Sequence, residues 1–374
     1  MAIPVRLTLC LVALSVATAA TQYKPEFNTT GPGSAARGEG DLKGGENETG
    51  PYDVVADWPK PLPGHDGWTW GRTAGIWAES PDRVFVFQSG ELPVLKERIG
   101  RDGVPTRAAA YAAKDHRREH LLMIFNREGR LVESWDQWND LFVSPHSIKM
   151  DRNDPDRHVW LIDNGAQQVF KLTNDGTRIV MRLGEYKVSG QDRGHFAGPS
   201  DIAFLPNGDI LVSDGYQNSR VVKFDKDGRY LTEWGSKGSG PGQFNQLHGI
   251  AVDAEQRVYV NDRVNSRVQI FDKDGRFLDQ WPNIRFPLCI GVSEDQHVWV
   301  IDMLTSRVLK YNRSGRLLYN WGTFGGQPGQ LWGVHQFSVD SEGNLYVAEV
   351  YNGRPQKFVP RRGADPSHLI GRLR

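Results

Sequence analysis

From about residue 50 onward, apolar residues fall in short runs, separated by turns rich in Gly, Asn, Asp and Pro. Helical spacing is absent, and the runs are the length of strands. The runs are also alike. Six of them each open on a marker residue followed by a small or polar residue and then an apolar one. They read Ala74-Gly75-Ile76, His146-Ser147-Ile148, Ser200-Asp201-Ile202, His248-Gly249-Ile250, Leu288-Cys289-Ile290 and His335-Gln336-Phe337. From the second marker on, they recur roughly every 40–55 residues, the length of one four-stranded propeller blade.

Each blade carries the same positions. A second strand ends in an acid at Asp163, Asp214, Asp262, Asp302 and Glu349. A third opens on Asn218-Ser219-Arg220, Asn265-Ser266-Arg267, Thr305-Ser306-Arg307 or, as the weakest copy, Asn352-Gly353-Arg354. A fourth ends in Trp135, Trp234, Trp281 or Trp321. Residues repeated in every unit serve the contacts between units, so these arginines and tryptophans read as scaffold. Six markers predict six blades. The last blade lacks an outer strand, and Asp53 to Trp58 ends in the matching tryptophan. The chain therefore reads as an all-β, six-bladed β-propeller closed by an N-terminal strand in the last blade, which removes exposed sheet edges. Blade one carries an insertion, residues 89–119, in which Arg107 to Ala113 reads as a short helix.

The N-terminus changes the setting. Arg6, the apolar stretch Leu7 to Val16 and Ala17-Thr18-Ala19 form a signal-peptide pattern over residues 1–20, too short for a stable membrane anchor. A lipid-anchored Cys10 fits less well, because bulky Leu9 precedes it. Export predicts a secreted or periplasmic protein. Removing the peptide leaves Cys289 alone, so the mature chain has no internal disulfide. Residues 21–50 are polar and glycine-rich and read as a flexible leader before a propeller spanning 51–374. Asn28, Asn47 and Asn312 open glycosylation sequons. Formal net charge is +0. No global field draws nucleic acid or an anionic membrane, and nothing in the motifs predicts nucleic-acid binding.

Three markers, in blades two, four and six, are histidines: His146, His248 and His335. Alternate blades of a six-fold ring stand about 120° apart, so three imidazoles converge beside the central channel. Ten histidines scattered at random would place roughly 0.2 in six chosen slots. Three nitrogen ligands with a fourth position open is the donor set of a catalytic zinc. His158 and His297 sit beside strand starts. His65, His116, His120 and His368 lie in loops, and His195 lies in the turn before blade three.

The segment Gly238-Ser239-Gly240-Pro241-Gly242-Gln243-Phe244 followed by His248-Gly249-Ile250-Ala251-Val252-Asp253 resembles NHL repeats. Within that group the chain resembles the peptidyl-α-hydroxyglycine α-amidating lyases. The resemblance is carried by Pro145-His146-Ser147, Leu247-His248-Gly249, Val334-His335-Gln336 and the run Ser213-Asp214-Gly215-Tyr216-Gln217-Asn218-Ser219-Arg220. It also rests on His195-Phe196, Pro199-Ser200-Asp201 and Asp262-Arg263-Val264-Asn265. It implies a zinc-dependent enzyme that splits a C-terminal hydroxyglycine into a peptide amide and glyoxylate. Zinc would be held by His146, His248 and His335, Tyr216 would take the proton, and Arg263 would be an active-site arginine. Two positions depart from the family. Ser89, in Phe87-Gln88-Ser89-Gly90-Glu91, stands where the family has an arginine, leaving Arg72 or Arg263 to compensate. Gln336 stands where the family has an aspartate serving a structural calcium. A calcium site on the main-chain carbonyls of Ile76 and Ile148 beside Gln336 would carry one charge less and bind more weakly.

Two functions follow from these residues. One is the zinc lyase acting on a small or peptide C-terminal substrate. The other is a non-catalytic propeller binding a peptide, glycan or protein partner at the same mouth, which the changes at Ser89 and Gln336 favour. A six-bladed lactonase requires a carboxylate-rich calcium centre, and the six markers supply no carboxylate.

Overall fold

The computed structural model describes residues 46–93 and 117–374. The proposed signal peptide, most of the leader and the helix expected over 107–113 lie outside them. The strands form six four-stranded antiparallel sheets around one axis, each innermost strand carrying its marker as its second residue. These inner strands are Thr73–Ser80, Pro145–Met150, Pro199–Phe204, Leu247–Val252, Pro287–Val292 and Val334–Val339. Tyr52–Val55 pairs with Arg354–Pro360, so the N-terminal strand completes the sixth sheet. Before that strand, Glu46–Thr49 forms one helical turn, and Thr49 is buried.

Apolar side chains gather in six clusters, one at each interface between neighbouring blades. The repeated tryptophans seal those interfaces. Trp234 lies over Gly275 of the next blade, where an added Cβ would stand 2.6 Å from the indole ring, at φ +90. Trp135 over Gly176, Trp281 over Gly315, Trp321 over Gly50 and Trp58 over Gly129 repeat the arrangement. Such a turn needs a residue tolerant of positive φ and without a side chain, which explains the recurrent glycine. Blade two lacks the tryptophan, and Met181 and Leu183 cover Gly228 instead.

The acid ending each second strand has an equally local purpose. Asp214 accepts hydrogen bonds from Ala197 N, Asn218 Nδ2 and Arg220 Nε. Asp262 does the same with Asn245 N, Asn265 Nδ2 and Arg267 Nε, and Glu349 with Trp332 N, Asn352 Nδ2 and Arg354 Nε. One buried carboxylate thus fixes the loop entering its blade and the start of the third strand. A buried charge requires this degree of hydrogen bonding, so the repeated acid, asparagine and arginine are one structural unit.

Within the channel the inner strands are tied by two side chains. Lys149 donates to Asp201 Oδ2 at 2.7 Å, Ile202 O at 2.8 Å and Ile250 O at 3.1 Å, linking blades two, three and four. Gln336 Oε1 accepts from Ile76 N at 3.2 Å and Ile148 N at 3.1 Å, while its Nε2 donates to Ile148 O at 2.5 Å, linking blades six, one and two. The expected calcium site falls at these atoms. A calcium ion needs six to eight oxygens facing it, whereas the Gln336 amide presents an N–H to the Ile148 carbonyl. The neutral side chain ties these strands directly, and the residues present do not fit the ion.

Candidate metal centre

The marker histidines meet on the axis because each is the second residue of an inner strand in an alternate blade. Their ring centroids are 4.9 Å apart for His146 and His248, 4.4 Å for His146 and His335, and 4.8 Å for His248 and His335. One ligand nitrogen from each lies within 4.8 Å of the others. All three side chains are buried.

Main-chain carbonyls set the tautomers. His248 Nδ1 donates to Leu288 O at 2.7 Å and His335 Nδ1 to Ala74 O at 2.8 Å. The opposite nitrogen of each ring is left with its lone pair, the state a metal ligand requires. His335 Nε2 is buried without a hydrogen-bond partner among the described residues, and His146 is held by the main chain of Ser200. Buried polar atoms rarely stay unsatisfied, so the orphaned His335 Nε2 and the three-imidazole donor set fit a tetrahedral zinc ion with one position open.

Electrostatics keep the rings neutral. Burial, then the charges of His335 and Arg72, hold His146 well below its usual range. Burial, then Arg263, hold His248 well below, and burial, then Arg72, bring His335 down from 6.5 to about 3. Uncharged imidazoles need lose no proton to bind a metal.

Tyr216 belongs to this group. It follows the second strand of blade three, Ile210–Asp214, and its main chain is pinned by Tyr216 N donating to Gly198 O at 3.1 Å. At Gly198, φ +84, a Cβ would stand 2.4 Å from Tyr216 Cβ, so the glycine makes room for the tyrosine. The phenol Oη lies 2.9 Å from His146 Nε2 and 3.2 Å from His248 Nε2. Arg263 packs its guanidinium over the Tyr216 ring, 5.1 Å from the centroid, and also over Phe286. Its Nη2 donates to Gln246 Oε1 at 3.0 Å, and its buried Nε has no partner among the described residues.

Other sequence candidates fall elsewhere. His195 bonds Asp192 and Glu185 away from the triad. Ser89 donates its N–H to Arg72 O at 3.0 Å, so the position lacking the arginine lies directly across a strand pair from Arg72. Below the triad, a cavity of 370 Å³ reaches from His248 and His335 past Lys149 and Asp201 toward the opposite face. Neither that cavity nor the Lys149–Asp201 pairing is visible in the repeat pattern, since Lys149 has no counterpart in the other blades.

Comparison with known proteins agrees with the fold. A family model described as a six-bladed β-propeller matches residues 189–258. The peptidyl-glycine alpha-amidating monooxygenase of Mus musculus is 37% identical over 190 residues, 49% of this chain and 18% of that protein. A protein of Caenorhabditis elegans named as a probable peptidyl-alpha-hydroxyglycine alpha-amidating lyase is 35% identical over 139 residues, 37% of this chain and 38% of that protein. The chain thus spans well under two thirds of either relative. Among solved structures, a gluconolactonase from Xanthomonas campestris superposes with a TM-score of 0.53 at 12% identity, covering 84% of this chain and 92% of that one. That likeness is one of fold. Among the described residues, no helix is long and apolar enough to cross a membrane. The chain is a six-bladed propeller of NHL-type repeats whose sequence resembles that of the amidating lyases.

Proposed function

We propose that this chain is an exported, zinc-dependent lyase that cleaves a C-terminal α-hydroxyglycine to a peptide amide and glyoxylate. The observation that carries the reading is the phenol of Tyr216, placed between two imidazoles of a three-histidine cluster. Zinc, held by His146, His248 and His335, would supply Lewis acidity toward the substrate hydroxyl.

The chain's own residues account for the remainder. In the net reaction the C–N bond breaks, the carbinol C–O bond becomes a carbonyl, and one proton passes from the hydroxyl oxygen to the departing amide nitrogen. Tyr216 Oη is the base for that hydroxyl proton. Arg263 orients the phenol by stacking on its ring, and its unpartnered Nε is a donor for the glyoxylate carboxylate. Export rests on the pattern from Arg6 to Ala19.

The test is glyoxylate release from an N-acyl-α-hydroxyglycine by zinc-loaded protein. Tyr216→Phe should keep its zinc and lose about 100-fold in kcat, the usual effect of removing a general base. An unaltered kcat in that variant would remove Tyr216 from the chemistry. A second reading, capture of a peptide or protein partner without turnover, is favoured by Ser89 and by an apolar rim at the mouth. There Leu304 is 65% and Phe324 58% exposed. Zinc-loaded wild type that releases no glyoxylate would select it.

A further inference from the structure

Outside the channel, blade one carries a second group of metal-ligating side chains. His65, Glu119 and His120 bring one ligand atom each within 4.8 Å of one another. His65 comes from the loop before the first inner strand. Glu119 and His120 precede the strand Leu122–Phe125, whose start lies at the mouth face of the propeller. The two imidazole centroids are 5.2 Å apart.

The surroundings distinguish this group from a chance cluster. His65 Nδ1 is bonded to Glu91, whose side chain is only 3% exposed. His120 Nδ1 is bonded to Ser134 Oγ at 2.8 Å and Asp136 Oδ1 at 3.1 Å. A carboxylate on Nδ1 orients a ring and leaves Nε2 as a ligand, as outer partners do in zinc proteins. Charge points the same way. Glu91, Glu119 and Asp136 form no ion pair with a lysine or arginine among the described residues, so three acids face two imidazoles. By contrast, the group Asp154, Asp156 and His158 already has Lys171 beside Asp154 at 3.7 Å.

We infer that His65, Glu119 and His120 form a second site for a divalent ion of the zinc class, with Glu91 and Asp136 as outer-shell partners. Two imidazoles and one carboxylate are a recognised zinc donor set with a fourth position open to water. The ion neutralises the excess carboxylate charge. It also fastens the loop bearing His65 to the entry of the third strand of blade one. The site is independent of the axial triad and of any turnover there.

Full-length protein, stripped by a chelator, reloaded with excess zinc and desalted, should hold two zinc per chain by mass spectrometry. His120→Ala and Glu119→Gln should each lose one equivalent, with an unchanged cooperative melt in the metal-free state. Both should still release glyoxylate if the wild type does. His248→Ala should also lose one, and combining it with His120→Ala should lose both. If the axial triad bound nothing, wild type would hold a single zinc that His120→Ala removes, and this site would still stand. A single zinc that survives His120→Ala, or two that survive both His120→Ala and Glu119→Gln, would overturn it.

Discussion

Two rings of polar groups lie one above the other on the propeller axis, and they differ in how fully they are satisfied. In the lower ring, the Lys149 ammonium has three oxygen partners and the Gln336 amide is bonded through both its oxygen and its nitrogen. In the upper ring, His335 Nε2 has no partner among the described residues, and Tyr216 Oη bridges the Nε2 atoms of His146 and His248. Burying polar groups costs free energy unless they are paired. The lower ring meets that requirement internally and is scaffold. The upper ring leaves it unmet, as a site kept for a ligand does.

Single substitutions in either ring separate scaffold from site. The largest expected effect is in the lower ring. Lys149→Met leaves Asp201 buried without its cation and should cost about 3–5 kcal/mol in urea unfolding. The same variant should retain its axial zinc. Loss of zinc with little loss of stability would reverse the roles assigned to the two rings.

Acid titration of the metal-free protein probes the upper ring. A buried imidazole with a depressed value stays neutral in the native state while its unfolded counterpart takes up a proton. Stability from these groups is therefore complete above about 6.5 and declines as pH falls, for His335 down to about 3. The slope approaches about 1.4 kcal/mol per pH unit for each such histidine. His335→Gln should flatten the decline, and an unchanged slope would show that His335 is not held neutral.

The smallest effect expected is from calcium. With the Gln336 amide bonded to Ile148 O, adding calcium or a calcium-selective chelator should move Tm by no more than about 1 °C. A calcium-dependent rise of several degrees would contradict the closed lower ring.

The contrast also marks what was legible in the sequence. Blade number, the closing strand and the convergence of His146, His248 and His335 were readable because they recur at fixed positions, and recurrence is visible without coordinates. The scaffold reading of Arg220 and Trp234 was readable for the same reason. The partners of Gln336 and Lys149 were not, since Ile148 lies 188 residues from Gln336 and Ile250 lies 101 from Lys149. Neither pair repeats. His65 and His120 read as loop residues for a related cause. Only the folded mouth of blade one sets them side by side, with Glu91 brought up by a turn at Gly90 that passes against the main chain of Arg117.

The most direct test of the central claim is an anomalous difference map, recorded above the zinc absorption edge from crystals of purified, zinc-supplied protein. A peak is expected on the axis, within bonding distance of His146, His248 and His335 and beside Tyr216 Oη. An axis without anomalous signal, with the three imidazoles bonded only to water or to one another, would contradict it.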